Sequence, residues 1–238
     1  MLKKYLEKQL LLISSSHIKD GEFFSHCFDT VKEFLGIFSK EEVVAFIPYA
    51  LKDYDKYTDE VRKSFTKMGY KIISVHEVFN PINLITDINT RAVFIGGGNT
   101  FRLKKMLERN NLVDVIKTQV EAGKKYIGSS AGAILACPTI QTTNDMPIVV
   151  PQSLGAFNLV DFQINPHFIS EKVRLNNIKR FLEENDTMVV GLPEDCWIIE
   201  KENDYVLGGT SDAVIFQKKE RTSILWRIGE FLNKDNLL

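Results

Sequence analysis

Short apolar runs alternate with amphipathic stretches along the first half of the chain, and this alternation predicts strands joined through helices. The runs typical of buried strands are Leu10–Ile13, Val43–Ile47, Lys71–Val75, Ala92–Ile95 and Lys125–Gly128. The stretches with helical periodicity between them are Glu22–Leu35, Tyr54–Met68, Thr100–Glu108 and Leu112–Ala122. Strands connected in this way form right-handed crossovers, so the pattern favours a doubly wound, mostly parallel α/β sheet with helices on both faces.

The pattern changes after Pro151, where strand-like runs follow one another at short intervals. They are Phe162–Ile164, Met188–Gly191, Trp197–Glu200, Tyr205–Leu207 and Ala213–Gln217, and one helix is predicted among them near Val173–Leu182. We expect these runs to continue the sheet as an antiparallel meander at its C-terminal edge. No repeat, low-complexity segment or linker interrupts the sequence, which favours a single domain over residues 1–238.

Composition excludes several classes of protein. The 30 Lys and Arg side chains nearly balance the 31 Asp and Glu side chains, and this near-neutral charge argues against nucleic acid or an anionic membrane as the main partner. No apolar run reaches the roughly 18 residues that a membrane span requires. The 3 cysteines are widely spaced, and Leu10–Ile13 is too short for a signal-peptide core, so we expect a cytoplasmic protein.

The sequence Gly128-Ser129-Ser130-Ala131-Gly132 is a G-x-S-x-G motif between a predicted strand and a small-residue helix start. This is the setting of a nucleophile elbow, a tight turn that exposes its central serine above the sheet. Small residues flank the serine because larger side chains would clash in such a turn. A plain turn with two incidental serines is the alternative, and the position between strand and helix favours Ser130 as a nucleophile.

A second glycine turn, Gly96-Gly97-Gly98-Asn99-Thr100, follows the predicted strand Ala92–Ile95. Phe101 stands where a dinucleotide-binding fingerprint has its third glycine, and no Gly-Lys-Ser/Thr follows, so the pattern argues against a nucleotide site. Consecutive glycines can present bare backbone N–H groups, which suits an oxyanion hole; a turn that only needs positive φ is the alternative. Both turns lie at carboxyl ends of strands, where such sheets bind ligands.

A serine hydrolase also needs a base and a group that orients the base. Of the 4 histidines, His17 and His167 are predicted in loops at the ligand-binding edge of the sheet. Two carboxylates, Asp145 and Glu194, compete as the orienting group, and their order along the chain does not decide between them. The sequence shows no spacing typical of metal ligands, so we expect no metal cofactor.

Together these stretches resemble the aspartyl dipeptidases (peptidase E), serine peptidases with a fold like that of the class I glutamine amidotransferases. The resemblance runs along most of the chain, and its most specific block extends from Ser130 to Val149. Further matching stretches are Phe46-Ile47-Pro48, Tyr54–Thr58, Gly96–Phe101, Gln163–Phe168, Gly191–Glu194 and Val206–Gly209. The related cyanophycinases share the elbow and the fold, but their glycine turn continues into a glutamine rather than Asn99-Thr100.

The resemblance implies a set of site residues. The family's nucleophile, its base and its two oxyanion-hole amides fall on Ser130, His167, Gly98 and Ala131. The acidic member falls on Glu194 or Asp145, and we prefer Glu194 because it leads a loop from a neighbouring strand, where it can reach the histidine.

The resemblance further implies hydrolysis of dipeptides with an N-terminal aspartate through an acyl-enzyme, without metal or organic cofactor. Asn99 and Arg174 are the candidate substrate-binding residues; Arg174 falls where the family has a Gly-Glu-Thr-Arg-like stretch, and its guanidinium is a fork suited to a carboxylate. A solvated surface arginine is the alternative. The segment between His167 and Glu194 is shorter here than in the family, which leaves the aspartyl preference open.

Three other functions remain open on the residues alone: a serine esterase or amidase, a cyanophycinase-like peptidase of different specificity, and a non-catalytic small-molecule binding protein. A small peptide is the expected partner of the site. The sequence does not distinguish a monomer from a homodimer.

Overall fold

A computed structural model describes residues 8–19, 21–201, 204–218 and 223–233 of the chain. The helices in these ranges are α1 Phe28–Leu35, α2 Tyr54–Met68, α3 Pro81–Thr86, α4 Thr100–Arg109, α5 Val113–Glu121, α6 Ala131–Ala136 and α7 Lys172–Glu184. The strands are β1 Leu10–Ile13, β2 Val43–Ile47, β3 Ile72–Ser74, β4 Thr90–Ile95, β5 Lys125–Ser129, β6 Gln163–Pro166, β7 Val189–Leu192, β8 Trp197–Lys201, β9 Asp204–Gly208, β10 Ala213–Phe216, β11 Ile224–Trp226 and β12 Phe231–Leu232.

The main sheet has the strand order β12-β9-β8-β1-β5-β4-β2-β3. Strands β1 to β5 within it are parallel, while β8, β9 and β12 pair antiparallel at one edge. Leu10 and Leu12 belong to the core cluster packed with α4, α5 and α6, and Leu11 and Ile13 belong to the cluster packed with α1 and α2. Both faces are therefore covered, and the predicted doubly wound α/β sheet with an antiparallel edge is confirmed.

Four strands form a second sheet, in the order β11-β10-β7-β6, rather than continuing the first. Within it β6 and β7 are parallel, while β10 pairs antiparallel with β7 and with β11. Ile164, Val190 and Ile215 pack into the main core, and Val189 packs with Phe168 and α7 on the other side. Of the strands after Pro151, only β8, β9 and β12 form the predicted antiparallel edge of the main sheet. The others form a separate sheet, because strands that are apolar on both faces must be packed against other elements on each side.

Three local features differ from the predicted elements. The first helix begins at Phe28 rather than Glu22, because Phe24 has φ 60° and its N–H donates to Ser16 O at 2.8 Å, which ties the preceding turn to the loop after β1. Helix α3 was not predicted, although Asn80 followed by Pro81 is a typical helix start. Strands β11 and β12 were not predicted either.

Residues after five strands meet at one side of the molecule. The elbow follows β5 and the glycine turn follows β4. Ser14 after β1 is bonded to His167 after β6, and His167 is bonded to Glu194 after β7. Within the described ranges, no helix combines the length and the apolar character needed to cross a bilayer.

Candidate active site

Ser130 occupies a strained turn between β5 and α6. Its backbone angles, φ 52° and ψ −109°, lie in a region that residues other than glycine rarely adopt. Its N–H donates to Ile13 O at 2.9 Å. A Cβ on Gly128 would lie 2.5 Å from Gly132 O, and a Cβ on Gly132 would overlap Ile95 O. Both glycines are required because α6 packs directly on the strand ends, and the structure has the geometry that the G-x-S-x-G pattern predicts.

His167 lies beside Ser130, and Glu194 lies beside His167. The Ser130 Oγ is 2.8 Å from His167 Nε2, and His167 Nδ1 is 2.9 Å from Glu194 Oε1. The His167 side chain is 33% exposed and that of Glu194 is 54% exposed, so this hydrogen-bonded chain is open to a ligand from solvent. Chemically, the arrangement can move a proton from the serine hydroxyl to an imidazole held in orientation by a carboxylate.

The other candidate histidine and carboxylate lie elsewhere. His17 Nε2 is 3.0 Å from Glu60 Oε1, so this histidine pairs with helix α2. Asp145 Oδ2 accepts hydrogen bonds from the N–H of Thr100 at 2.8 Å, from its hydroxyl at 2.6 Å and from the Thr143 hydroxyl at 3.0 Å. Among the described residues none of its hydrogen bonds reaches His167, and Asp145 instead ties its loop to the first turn of α4.

The glycine turn lies against the reactive serine. A Cβ on Gly97 would be 3.0 Å from the Ser130 Cβ. Gly98 has φ 128°, and a Cβ there would lie 2.8 Å from Ala50 O, so both its conformation and its surroundings require glycine. The N–H of Ser130 donates to Ile13 O at 2.9 Å, so this amide is already engaged. The nearby amides of Gly98 and Ala131 are thus the better candidates for binding an anion next to Ser130.

Tyr57 supports the glycine turn from behind and was not singled out by the sequence. Burial raises the pKa of its phenol well above the usual value, while the hydrogen bond from Gly97 partly opposes this rise. A Cβ on Gly96 would overlap the Tyr57 ring, so the tyrosine can pack against the turn only if residue 96 is glycine. The only signal in the sequence was its place in the stretch Tyr54–Thr58, which contributes to the family resemblance.

The two candidate substrate-binding residues both make structural hydrogen bonds. Asn99 caps α4 by accepting from Arg102 N at 3.0 Å, and its Nδ2 donates to Met146 O at 2.9 Å. Arg174 Nη1 donates to Asn165 Oδ1 at 3.2 Å and to Pro166 O at 3.1 Å. Arg174 is therefore bound against the end of β6, immediately before His167, and is not a solvated surface residue.

The cysteine thiols are unsuited to act as nucleophiles at this site. Burial raises the pKa of the thiols of Cys27, Cys137 and Cys196 to about 12, so all are protonated at neutral pH and are poor nucleophiles. Cys137 directly follows helix α6, which begins at the elbow, and it is completely buried. In the part of the chain that the structure describes, no group of three or more His, Cys, Asp or Glu side chains could hold a metal ion.

The comparisons with known proteins agree on one family. The model of peptidase family S51 matches residues 10–207. A peptidase E of Streptomyces coelicolor is 40% identical over 217 residues, covering 88% of this chain and 87% of its own. A peptidase E of Nostoc is 38% identical over 242 residues, covering 98% of this chain and 96% of its own. A peptidase E of Escherichia coli is 36% identical over 222 residues, covering 89% of this chain and 95% of its own.

Two solved structures share the fold. A putative peptidase E from Listeria monocytogenes superposes with a TM-score of 0.67 at 24% identity, covering 86% of this chain and 99% of its own. A peptidase from an acI-B1 actinobacterium superposes with a TM-score of 0.72 at 16% identity, covering 96% and 98%. The predicted fold class is confirmed by these likenesses.

The elbow makes a direct prediction about stability. We expect Gly132→Ala to lower the free energy of unfolding by about 3 kcal/mol or more, because the new methyl group meets the rigid backbone of β4. Gly155→Ala is the matched control, since a Cβ there lies 3.8 Å from its nearest neighbour, Ser153 Oγ. Urea denaturation followed by circular dichroism measures both; equal stability of the two variants would contradict the close packing described here.

Proposed function

The chain belongs to peptidase family S51, and from this premise we propose that it is a serine dipeptidase that releases aspartate from Asp-X dipeptides through an acyl-enzyme. The observation that carries the proposal is the hydrogen-bonded chain from Ser130 through His167 to Glu194, beside a glycine turn. The curated relatives are named peptidase E, and the sequence resembles the aspartyl dipeptidases of that family. The chain provides the groups that this reaction needs without a cofactor.

Acylation begins when Ser130 Oγ attacks the carbonyl carbon of the aspartyl residue and passes its proton to His167 Nε2. The negative charge that develops on the carbonyl oxygen is stabilised by the N–H groups of Gly98 and Ala131. His167 then gives the proton to the leaving nitrogen as the C–N bond breaks, and residue X departs as a free amino acid. An aspartyl ester remains on Ser130.

Deacylation repeats these steps with water as the nucleophile. His167 removes a proton from the water, whose oxygen attacks the ester carbon, and the same proton returns to Ser130 Oγ as the C–O bond breaks. Aspartate leaves and the enzyme is restored. Glu194 orients the imidazole and stabilises its positive charge in both halves of the reaction.

Recognition of the substrate's aspartyl side chain requires a cation or a set of N–H donors, because an unpaired carboxylate in a desolvated pocket costs several kcal/mol. We assign this role to Arg174. A guanidinium has five N–H donors, and its bonds to Asn165 and Pro166 use only Nη1, so further donors remain for a carboxylate. One amide proton of Asn99 is used in the bond to Met146 O, and we assign the other to the substrate.

Replacing the nucleophile tests the reaction itself. Ser130→Ala should lower kcat for Asp-Leu by a factor on the order of 10⁶ while the protein stays folded. Ser129→Ala is the control, because the Ser129 hydroxyl is buried and has no hydrogen-bond partner among the described residues, so its loss should leave kcat within about threefold. Hydrolysis is measured by chromatography of released leucine. An active Ser130→Ala variant would exclude this serine, and a wild-type protein that cleaves p-nitrophenyl esters but no Asp-X peptide would exclude the dipeptidase.

Exchanging each carboxylate for its amide separates their roles. Glu194→Gln should lower kcat roughly 10⁴-fold, because the amide can favour the wrong tautomer of His167. Asp145→Asn should mainly lower the free energy of unfolding, by about 1–2 kcal/mol, because it weakens the bonds to Thr100 and Thr143. Steady-state kinetics and denaturation are measured on both variants. A larger loss of kcat in Asp145→Asn than in Glu194→Gln would reverse the assignment.

Arg174→Ala tests the aspartyl preference. We expect it to raise KM for Asp-Leu and to reduce the ratio of kcat/KM between Asp-Leu and Ala-Leu by about 10- to 150-fold, the worth of a charge-assisted hydrogen bond to a carboxylate. Arg180→Ala is the matched control, because Arg180 is exposed on the same helix. If Arg174 only braces the end of β6, both substrates will lose activity equally and the ratio will not change.

A further inference from the structure

Ser14, the residue directly after β1, joins the segments that carry the proposed base and the proposed carboxylate. Its side chain is completely buried. The Ser14 Oγ accepts a hydrogen bond from the backbone N–H of His167 at 2.8 Å and donates one to Leu192 O at 2.9 Å. Its own N–H donates to Cys196 O at 3.0 Å. One residue thus bonds to the backbone of His167 and to the backbone on both sides of the turn that contains Glu194.

His167 needs such a restraint because its backbone is in an unusual conformation. Its φ is 53°, in the left-handed region that residues with a Cβ seldom occupy. The His167 N–H is held by its hydrogen bond to Ser14 Oγ. The next amide along the chain, that of Phe168, donates to Leu192 O at 2.9 Å. A rotation about the His167 backbone would swing the ring away from Ser130, so the bond to Ser14 contributes to the 2.8 Å contact between Oγ and Nε2.

The turn that carries Glu194 is restrained by the same serine. Leu192 and Cys196 lie two residues on either side of Glu194, and Cys196 N–H donates to Pro193 O at 3.0 Å to close the turn. Because Ser14 binds the carbonyls at both of these positions, it determines how far this turn lies from His167. The Glu194 side chain itself is exposed, so the position of its backbone contributes strongly to where its carboxylate lies.

A serine is suited to this position on chemical grounds. A hydroxyl group on a short side chain can accept from one backbone segment and donate to another through a single small atom, which fits a fully buried space. Alanine would leave the His167 N–H buried without its acceptor. It would also remove one of the two hydrogen bonds that Leu192 O accepts, while the bond from Phe168 N–H would remain. A thiol is of similar shape but is a weak donor and a weak acceptor, so cysteine retains the packing and loses most of the hydrogen bonding.

We propose that Ser14 is a positioning residue that holds His167 and Glu194 in register with Ser130, an inference that rests on the proposed function of these three residues. Ser14 touches neither the substrate nor the reacting atoms. Its effect passes through the backbone of the base and through the turn of the carboxylate. It also links the end of β1 in the main sheet to β6 and β7 in the second sheet.

The test compares Ser14→Ala with Ser64→Ala. Ser64 is a buried serine whose hydroxyl donates to Phe23 O at 2.9 Å, so its loss removes one comparable hydrogen bond away from the site. We expect Ser14→Ala to lower kcat for Asp-Leu by about 10- to 100-fold, with KM changed by less than about threefold, because misplaced catalytic groups slow the chemical step. Ser64→Ala should leave both parameters near the wild-type values.

A second measurement does not depend on activity. We expect the Nδ1 proton of His167, bonded to Glu194, to give a downfield signal in the ¹H NMR spectrum, and Glu194→Gln identifies this signal by removing or shifting it. We expect this signal to be lost or shifted in Ser14→Ala and retained in Ser64→Ala. If Ser14→Ala does not fold, Ser14→Cys replaces it, with the same direction expected for kcat and for the signal.

The outcomes separate this inference from the proposed function. Wild-type kcat together with an unchanged Nδ1 signal in Ser14→Ala or Ser14→Cys would overturn the role of Ser14. A wild-type protein that hydrolyses no Asp-X peptide, but whose signal is lost on replacing Ser14, would overturn the dipeptidase while supporting the positioning of His167 by Ser14.

Discussion

The site depends on one constraint: β1, β5 and β4 are adjacent parallel strands, so their carboxyl ends lie side by side at the same end of the main sheet. Ile13 pairs with Ser129, and the next amide along the chain, that of Ser130, donates to the Ile13 carbonyl at 2.9 Å. The elbow therefore leaves the sheet from a point that the hydrogen-bond ladder determines. The glycine turn leaves β4, the next strand, so the serine and the N–H groups around it are mounted on one rigid support.

The second sheet brings the histidine and the carboxylate to this edge. Because β6 and β7 are parallel neighbours, the residues that follow them emerge side by side, and His167 and Glu194 are among these residues. Apolar residues of this sheet, such as Ile164 and Val190, pack into the main core and hold the two sheets against each other. Apolar packing has no preferred direction, whereas the hydrogen bonds of Ser14 do, and they lie where the two sheets meet.

Surroundings, rather than residue type, distinguish the two acidic side chains of the site. Asp145 is surrounded by the hydroxyl and amide donors of Thr100 and Thr143, which use its carboxylate to join a loop to a helix. Glu194 is exposed and has an imidazole as its neighbour. The cysteine thiols follow the same rule, because burial keeps them protonated and removes Cys137 from the chemistry despite its place behind the elbow.

The sequence by itself determined the parallel core of the main sheet, the elbow at Ser130 and the glycine turn, because these features follow local rules. A strand buried on both faces needs a continuous apolar run, and a tight turn needs small residues at fixed spacing. The local pattern left His17 and His167 open, and the family resemblance placed the base on His167. Only the tertiary structure decided that later strands form a second sheet and that Ser14 bonds both segments. These contacts join residues far apart in the chain, and no local pattern of hydrophobic and polar positions records which distant segments will pair.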